Sequence, residues 1–485
     1  MAVSVAYAWS CFKARSKAPL PPGPTRHWLW QNMKDLPKSK MWLQFTNWAD
    51  QYGPIVSLSL PGSKTLVVLQ TLDTINDLLD KRGVLYSDRP HTIMANELMG
   101  FSETVTFQQE GPVLRRYRKL CRIALSPTAV ERYETVQHDA VSQFIDALTE
   151  NYARRPDGDV DFLPQIRLAA IRWIMGMVYG VRVEDTSHEY VTNAEAAIAL
   201  FAKAIQPGRY FVDAIPIMRY LPEWLPFAKF KREAREARIV RARGAELPFR
   251  HVVDKVIAGT APPSFVSLLL SGIDESNPSA SERYEHEDIK QVARSMYSGM
   301  SPNSTLRSFV AAMLLHPEVQ KKAQAELDTF YGLHGRTNLP TQADRQHLPY
   351  VCAVINETLR WQPSLPLAWH GRSHLQTIIP RSGFLIPKGS TILPNVWNVS
   401  RTGPDKETLN DFDPSRFMDD ARRPLDPASY VFGFGRRVCV GQLVAENFLF
   451  VMVAAMLSSF TILPPLNNDG KEEMPKIEWV GAMPK

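Results

Sequence analysis

The chain has 485 residues, 45% apolar and 22% charged, which excludes a disordered, collagen-like or coiled-coil protein and leaves room for one large core or several domains. Lys and Arg number 56 against 50 Asp and Glu, an excess of +6 that suits an anionic membrane surface or an acidic protein partner and is too small to indicate nucleic acid. The four cysteines, Cys11, Cys121, Cys352 and Cys439, lie too far apart for zinc-site or redox-pair spacing. A chain of this size needs no disulfide staples, so a reducing, cytosol-facing compartment is expected.

At the N-terminus, residues 2–12 form an apolar run of eleven, short of the ~20 that span a bilayer as a helix. Lys13, Arg15 and Lys17 follow, then Pro19, Pro21, Pro22 and Pro24. A short apolar segment, a basic stop and a proline hinge resemble a signal anchor that keeps the following domain cytosolic. A cleaved secretory peptide would carry its basic residues first and a small-residue cleavage site after. No other stretch approaches spanning length. Residues 55–60 and 65–69 read as a hairpin around Pro61-Gly62. From about 120 to 375 the pattern is mainly helical. Residues 130–149 and 164–179 show 3.6-type apolar spacing, 287–315 read as one long helix before His316-Pro317, and 319–331 and 350–361 as two more. Residues 384–386 and 391–393 read as a second hairpin, turning at Pro387-Lys388-Gly389. Coil is then expected until a last helix at about 442–458. No repeat or Gly/Ser linker divides the chain, and no Gly-rich phosphate loop follows a strand, so the chain carries no nucleotide or flavin motif. The expected fold class is mainly α with small β-sheets.

The most informative stretch is Phe432-Gly-Phe-Gly435-Arg-Arg437-Val-Cys439-Val-Gly441. A Gly-rich turn leads into a helix that starts just after Cys439. A helix N-terminus and a nearby arginine both favour thiolate over thiol, and Gly435 and Gly441 permit close backbone approach to a flat ligand or a neighbouring helix. Such a site suits a thiolate that is the only protein ligand to an iron. An isolated cysteine is ordinarily a buried structural residue; these surroundings argue otherwise.

The spacing F-x-x-G-x-R-x-C-x-G resembles the haem-binding signature of the cytochrome P450 family, with Val440 where proline is common, and the likeness to its fungal secondary-metabolism members extends over most of the chain. The resemblance implies the cytochrome P450 fold and haem b, its iron ligated by Cys439, with Arg437 on a haem propionate and Phe432 packed beside the loop. Glu357-Thr-Leu-Arg360 places two charges at i, i+3 on a predicted helix, alone a weak signal because most such pairs are solvated. With Pro414-Ser415-Arg416-Phe417 it resembles the family's E-x-x-R and P-E-R-F elements, which implies a structural role for Glu357, Arg360 and Arg416 in locking the thiolate loop. Arg118 looks like the arginine of the W-x-x-x-R helix that reaches the propionates, with Leu114 where Trp is common. Near the family's second propionate donor the chain reads Trp369-His370-Gly371-Arg372. Gly371 falls on the donor position, leaving Arg372 or His370 to compensate.

The family's distal helix carries a motif like A-G-x-D-T-T, whose acid and alcohol relay protons. Here the match is Ser298-Gly299-Met300-Ser301-Pro302-Asn303-Ser304-Thr305. Ser301 replaces the acid and Pro302 the alcohol. A mid-helix proline removes an N–H, frees the carbonyl four residues back and costs roughly 3 kcal/mol. Proton delivery would then fall to Ser298, Ser301 or Thr305, which share a face at i, i+3, i+7, or to water held at the freed carbonyl of Ser298. Three readings stay open on the sequence: an oxygen-activating monooxygenase; a peroxide-driven or non-oxygenase haem-thiolate enzyme such as an isomerase or dehydratase; and a haem-binding protein with little turnover.

The resemblance assigns the pocket roof to residues 91–109 and to a helix pair at about 201–230, both rich in apolar side chains. A mainly apolar pocket suits a terpenoid, alkyl or aromatic metabolite. The expected organisation is a short apolar segment at 1–18 (a candidate membrane anchor), a Pro-rich hinge at 19–40 and a single haem-thiolate catalytic domain at 41–485. The expected reaction is insertion of one oxygen atom, as hydroxylation or epoxidation, with electrons from NADPH through a separate NADPH-cytochrome P450 reductase. The expected place is the endoplasmic reticulum membrane, with the catalytic domain facing the cytosol.

Overall fold

The computed structural model describes residues 18–37, 39–61, 64–154, 162–205, 209–213, 215–272, 285–299, 302–334, 339–368, 371–379, 382–404, 406–467, 469–477, 479–480 and 483–484. The N-terminal apolar run, Cys11, Ser301 and His370 lie outside them. The principal elements are α1 (Met41–Tyr52), β1 (Ile55–Leu60), β2 (Lys64–Leu69), α2 (Pro112–Ala124), α3 (Glu134–Arg154), α4 (Leu163–Tyr179), α5 (Glu189–Ala204), α6 (Lys229–Ile257), α7 (His286–Gly299), α8 (Asn303–Leu315), α9 (Pro317–His334), α10 (Pro349–Trp361), β3 (Thr377–Ile378), β4 (Leu385–Ile386), β5 (Thr391–Pro394) and α11 (Gln442–Ser459). The expected mainly helical fold with small sheets is what forms.

The chain divides into two compact units. The first comprises residues up to Pro90, Leu359–Asp411 and Arg422–Cys439. Its sheet is built on largely apolar strands, β2 ending in Leu66-Val67-Val68-Leu69. β1 pairs antiparallel with β2, Ile55 opposite Leu69, as the first predicted hairpin requires. Val56, Leu58, Leu66 and Val68 pack with Phe45 and Trp48 of α1. Ile55, Val67 and Leu69 belong to a separate cluster with Ile75, Tyr86, Tyr430 and Phe434. Successive side chains point to opposite faces, so both faces of this sheet are covered.

The second predicted hairpin does not form. β4 pairs antiparallel with β3, while β5 runs parallel to β2, Leu66 opposite Thr391. The turn at Gly389 (φ +83°) is real, but the Gly389 N–H goes to the Ser373 carbonyl at 2.8 Å and the chain leaves in a new direction. Two short apolar segments fix strand character without fixing the partner.

The second unit comprises His91–Thr358, Phe412–Ala421 and Val440–Lys485. α11 is its central helix. Phe448 stacks on Trp173 of α4, ring centroids 4.2 Å apart, and Gln324 of α9 donates to the carbonyls of Leu457 and Phe460, satisfying end-of-helix acceptors. Among the described residues α11 has the length and hydropathy of a membrane span, which the sequence expectation had not allowed for, but most of it is buried inside the protein.

The long helix expected at 287–315 is two helices: α7 ends at Gly299 and α8 begins at Asn303 with Pro302 as its N-cap. Pro302 has helix-compatible φ of −72° and its carbonyl accepts from the Leu306 N–H at 3.0 Å. It therefore starts a helix but cannot continue one, because it has no N–H and its ring clashes with the carbonyl four residues back. Likewise, residues 201–230 are mostly not a helix pair but the connection between α5 and α6, built from short 3-10 turns.

Candidate active site

The cysteine loop runs from a short helical turn, Ala428–Val431, through a 3-10 turn, Gly435–Arg437, towards α11. Gly433 and Gly435 have φ of +83° and +51°. A Cβ on Gly435 would lie 2.0 Å from the Leu79 carbonyl oxygen, so the loop is pressed onto backbone that only glycine admits. The Cys439 N–H donates to the Phe432 carbonyl at 2.7 Å, closing the loop. Arg437 is buried and donates from Nε to the Ser87 carbonyl at 2.8 Å. Gly441, the N-cap of α11, is buried, and its carbonyl accepts the Ala445 N–H at 2.9 Å, the first i→i−4 bond of that helix. Among the described cysteines, Cys121 is buried and Cys352 partly so, while Cys439 is exposed. Burial pushes the Cys352 thiol up, away from thiolate.

Gly470 also has positive φ (+73°) but open space around it, whereas Gly435 adds the backbone clash. Gly435→Ala is expected to lower stability by about 2 kcal/mol or more, and Gly470→Ala by about 1 kcal/mol. Thermal midpoints of the two variants check this. Equal shifts would show that the loop relaxes freely at 435.

Glu357 and Arg416 are both fully buried, and Arg416 Nε donates to Glu357 Oε1 at 3.1 Å. The same oxygen accepts the Asp413 N–H at 2.8 Å, so the carboxylate ties down the segment that carries Arg416. Arg360, also buried, donates to the carbonyls of Leu409 (2.7 Å), Ser400 (3.3 Å) and Asp411 (3.0 Å). It thus gathers the backbone leading into that segment. Arg118 is half-buried on α2, with Leu114 buried one turn before it.

The absent donor at 371 has a steric cause: a Cβ there would lie 1.5 Å from the Tyr86 carbonyl oxygen, so no side chain fits. Arg372 is exposed, its N–H bonded to the Asp88 carbonyl at 2.6 Å and its guanidinium lying against Gly389.

On the distal segment, Ser298 is exposed on the last turn of α7 and donates to the Ser295 carbonyl at 3.1 Å. Pro302 and Thr305 are buried at the start of α8. Because the helix breaks between them, Ser298 and Thr305 do not share one helical face, and the i, i+7 argument fails. The two segments expected to roof the pocket do meet: Phe101 and Phe107 lie with ring centroids 4.9 and 5.1 Å from Phe201. Asp213 accepts the Met94 N–H at 2.9 Å. Sequence reading missed two arginines here. Arg241 of α6 is buried and paired with Glu103 at 2.8 Å. Arg294 lies on α7 with Nε and Nη2 buried and unpartnered. Each reads in the sequence as an ordinary solvent-facing helix charge.

The family model described as Cytochrome P450 matches residues 21–484. The chain is 34% identical to cytochrome P450 monooxygenase 98 of Postia placenta, over 97% of this chain and 88% of that one. It is 35% identical to cytochrome P450 monooxygenase COX2 of Coprinopsis cinerea, over 96% and 86%. A solved structure of a zebrafish cytochrome P450 with progesterone superposes with a TM-score of 0.72 at 22% identity, over 92% of this chain and 97% of that one. The chain belongs to the cytochrome P450 family. It is a P450 monooxygenase, an oxidoreductase that works with a haem-thiolate cofactor, and the family generally draws electrons from reductase partners.

The residues present fit that cofactor. The exposed sulfur sits on a loop whose shape depends on Gly435 against backbone, and a thiolate is the donor that haem-thiolate chemistry needs. Among the described residues no group of three or more His, Cys, Asp or Glu offers a competing metal site.

Proposed function

We propose that Cys439 would hold the haem iron through its thiolate, and that the enzyme inserts one oxygen atom, as a hydroxyl or an epoxide, into an apolar secondary metabolite such as a terpenoid. The exposure of Cys439 on its glycine-locked loop carries this reading. The bound haem supplies oxygen activation, with electron density pushed from the sulfur. The chain holds that sulfur through the Cys439–Phe432 backbone bond and the packing of Gly435. Arg437, and separately Arg118, would supply positive charge for the haem propionates. The paired Glu357 and Arg416, with Arg360, hold their segments rigid. Pro302 has no hydroxyl, so proton transfer falls to hydroxyls on either side of it, Ser298 at the end of α7 or Thr305 at the start of α8, acting separately.

Electrons come from NADPH through a separate reductase. This is supported by the lack of a dinucleotide loop in the sequence and by a net charge of +6 that suits an acidic partner. The catalytic domain lies on the cytosolic face of the endoplasmic reticulum membrane. The N-terminal apolar run with its basic stop supports this. So does the connection between α5 and α6, where Phe211, Ile217, Tyr220, Trp224 and Phe227 are each 70–81% exposed. Recovery of the full chain in the soluble fraction after cell lysis would refute the membrane placement.

The test is parallel turnover on a panel of apolar metabolites, with reductase and NADPH or with hydrogen peroxide alone. Oxygenated product only in the first arm is expected. Product only with peroxide, or an isomer formed without oxygen uptake, would overturn the proposal. In the first arm, Pro302→Thr supplies a hydroxyl and a backbone N–H at this position. It is expected to raise product formed per NADPH consumed about twofold or more, within the usual 10²–10⁴-fold reach of a positioned proton donor. An unchanged ratio would mean that proton supply is not limited at this position.

A further inference from the structure

Arg294 makes no ion pair or hydrogen bond with any described residue, and its Nε and Nη2 are buried without a partner. A guanidinium cannot shed its charge at neutral pH, so the cation stays in a poorly solvated place with no counterion. Its surroundings sharpen the imbalance. Arg241 is itself buried, and its Nε also lacks a partner, while its Nη1 is taken by Glu103 at 2.8 Å. Glu103 is half-exposed and shared between solvent and Arg241. Lys290, one turn before Arg294, already has two carboxylates, Glu246 at 2.7 Å and Glu287 at 2.8 Å. The remaining polar groups whose charge reaches Arg294 include the Tyr179 phenol, which burial keeps neutral. Two buried guanidiniums thus face one half-solvated carboxylate. Burial and the charge of Arg241 pull the Arg294 pKa down to about 10, which still leaves it charged at neutral pH.

The position of this charge is informative. Arg294 and Ser298 are i, i+4 on one face of α7, and Ser298 and Gly299 are the exposed last-turn residues of that helix. The roof segment is held against the same region: the Val105 N–H donates to Ser295 Oγ at 3.0 Å, and a Cβ on Gly100 would lie 3.0 Å from Arg241 Nη2.

We propose that Arg294, backed by Arg241, is a carboxylate-recognition site, and that the substrate is an apolar acid rather than a neutral hydrocarbon. This deepens the proposed function and rests on it. The guanidinium fork matches a carboxylate in two parallel hydrogen bonds, and the acid supplies the counterion that the protein omits. Ordered water would satisfy the donors but not the charge. The acid end held beside Arg294 leaves the apolar body to extend along the α7 face that carries Ser298.

The experiment uses the haem-loaded full chain. Dodecanoate, abietate and 4-butylbenzoate, each beside its methyl ester, are titrated against the ferric Soret band and, separately, against the thermal midpoint, which does not depend on a haem signal. At least one acid is expected to bind tenfold or more tightly than its ester. Arg294→Gln should bring that ratio to about one, leave the ester affinity unchanged, and hold or raise the midpoint of the unliganded protein, because it removes an unpaired charge. Arg241→Gln should weaken acid binding less. If Arg294→Gln does not accumulate, Arg294→Lys keeps the charge without the fork and is expected to lose part of the preference; the wild-type acid-to-ester ratio decides in either case. No acid binding more tightly than its ester, or a preference that survives Arg294→Gln, would overturn the site. The reduced carbon-monoxide spectrum of each protein reports the haem-thiolate reading independently, so the two failures are distinguishable.

Discussion

Cys439→Ala is expected to fold and yet to lose the thiolate-type carbon-monoxide spectrum and all reductase-supported turnover. The two outcomes separate because the loop does not depend on the sulfur. It is closed by the Cys439 N–H to Phe432 bond, which alanine retains, and its shape is set by Gly433 and Gly435. The side chain is exposed, so truncating it leaves no cavity. Far-ultraviolet circular dichroism should therefore change little. Haem that still binds would do so without a sulfur ligand and lose the donation that favours O–O cleavage. Cys352→Ala is the matched control. That thiol is partly buried and held towards the protonated form, with Sγ 3.6 Å from the Arg345 carbonyl, and its removal should leave the spectrum intact. An unaltered spectrum in Cys439→Ala would remove the ligand on which the proposed function depends.

Short-range rules carried the sequence reading only as far as the chemistry is local. The hairpin at 55–69 was legible because two short apolar runs meet across a Pro-Gly turn, and β1 and β2 pair in that way. The strands at 385–394 obeyed the same rules and still took different partners, because β5 completes a sheet with β2, more than 300 positions earlier in the chain. Apolar residues recur at helical spacing on both sides of Pro302, so residues 287–315 read as one helix, whereas α7 ends at Gly299 and α8 begins at Asn303 after a proline that cannot donate an N–H. The cysteine loop was legible as a pattern, but the reason for its glycines is a carbonyl at Leu79, and the reason for Gly371 is a carbonyl at Tyr86. Neither contact has a local signature. Arg241 and Arg294 were illegible for a related cause. Lys and Arg on amphipathic helices normally face solvent, and only tertiary packing shows that these two do not.

Glu357→Ala should be among the most damaging single changes outside the cysteine loop. Glu357 and Arg416 are both at 0% exposure, so the Arg416 charge has no solvent to fall back on. The same change strips the Asp413 N–H of its acceptor. Removing one partner of a buried pair costs about 3–5 kcal/mol, against a total stability of about 5–15 kcal/mol for an ordinary domain. Urea midpoints should fall accordingly, and the yield of haem-loaded protein with them. Glu357→Gln keeps the shape and an acceptor for Asp413 but not the charge, and should fall between Ala and wild type. The informative variant is the double one, Glu357→Ala with Arg416→Met. Replacing both charges with apolar groups removes the desolvation cost along with the attraction, so it should recover a sizeable part of the lost stability. If the pair acts only as a structural clamp, haem loading should recover in step. Stability that returns while haem loading does not would mean that the ionic pair sets the position of the 412–421 segment as well as its stability.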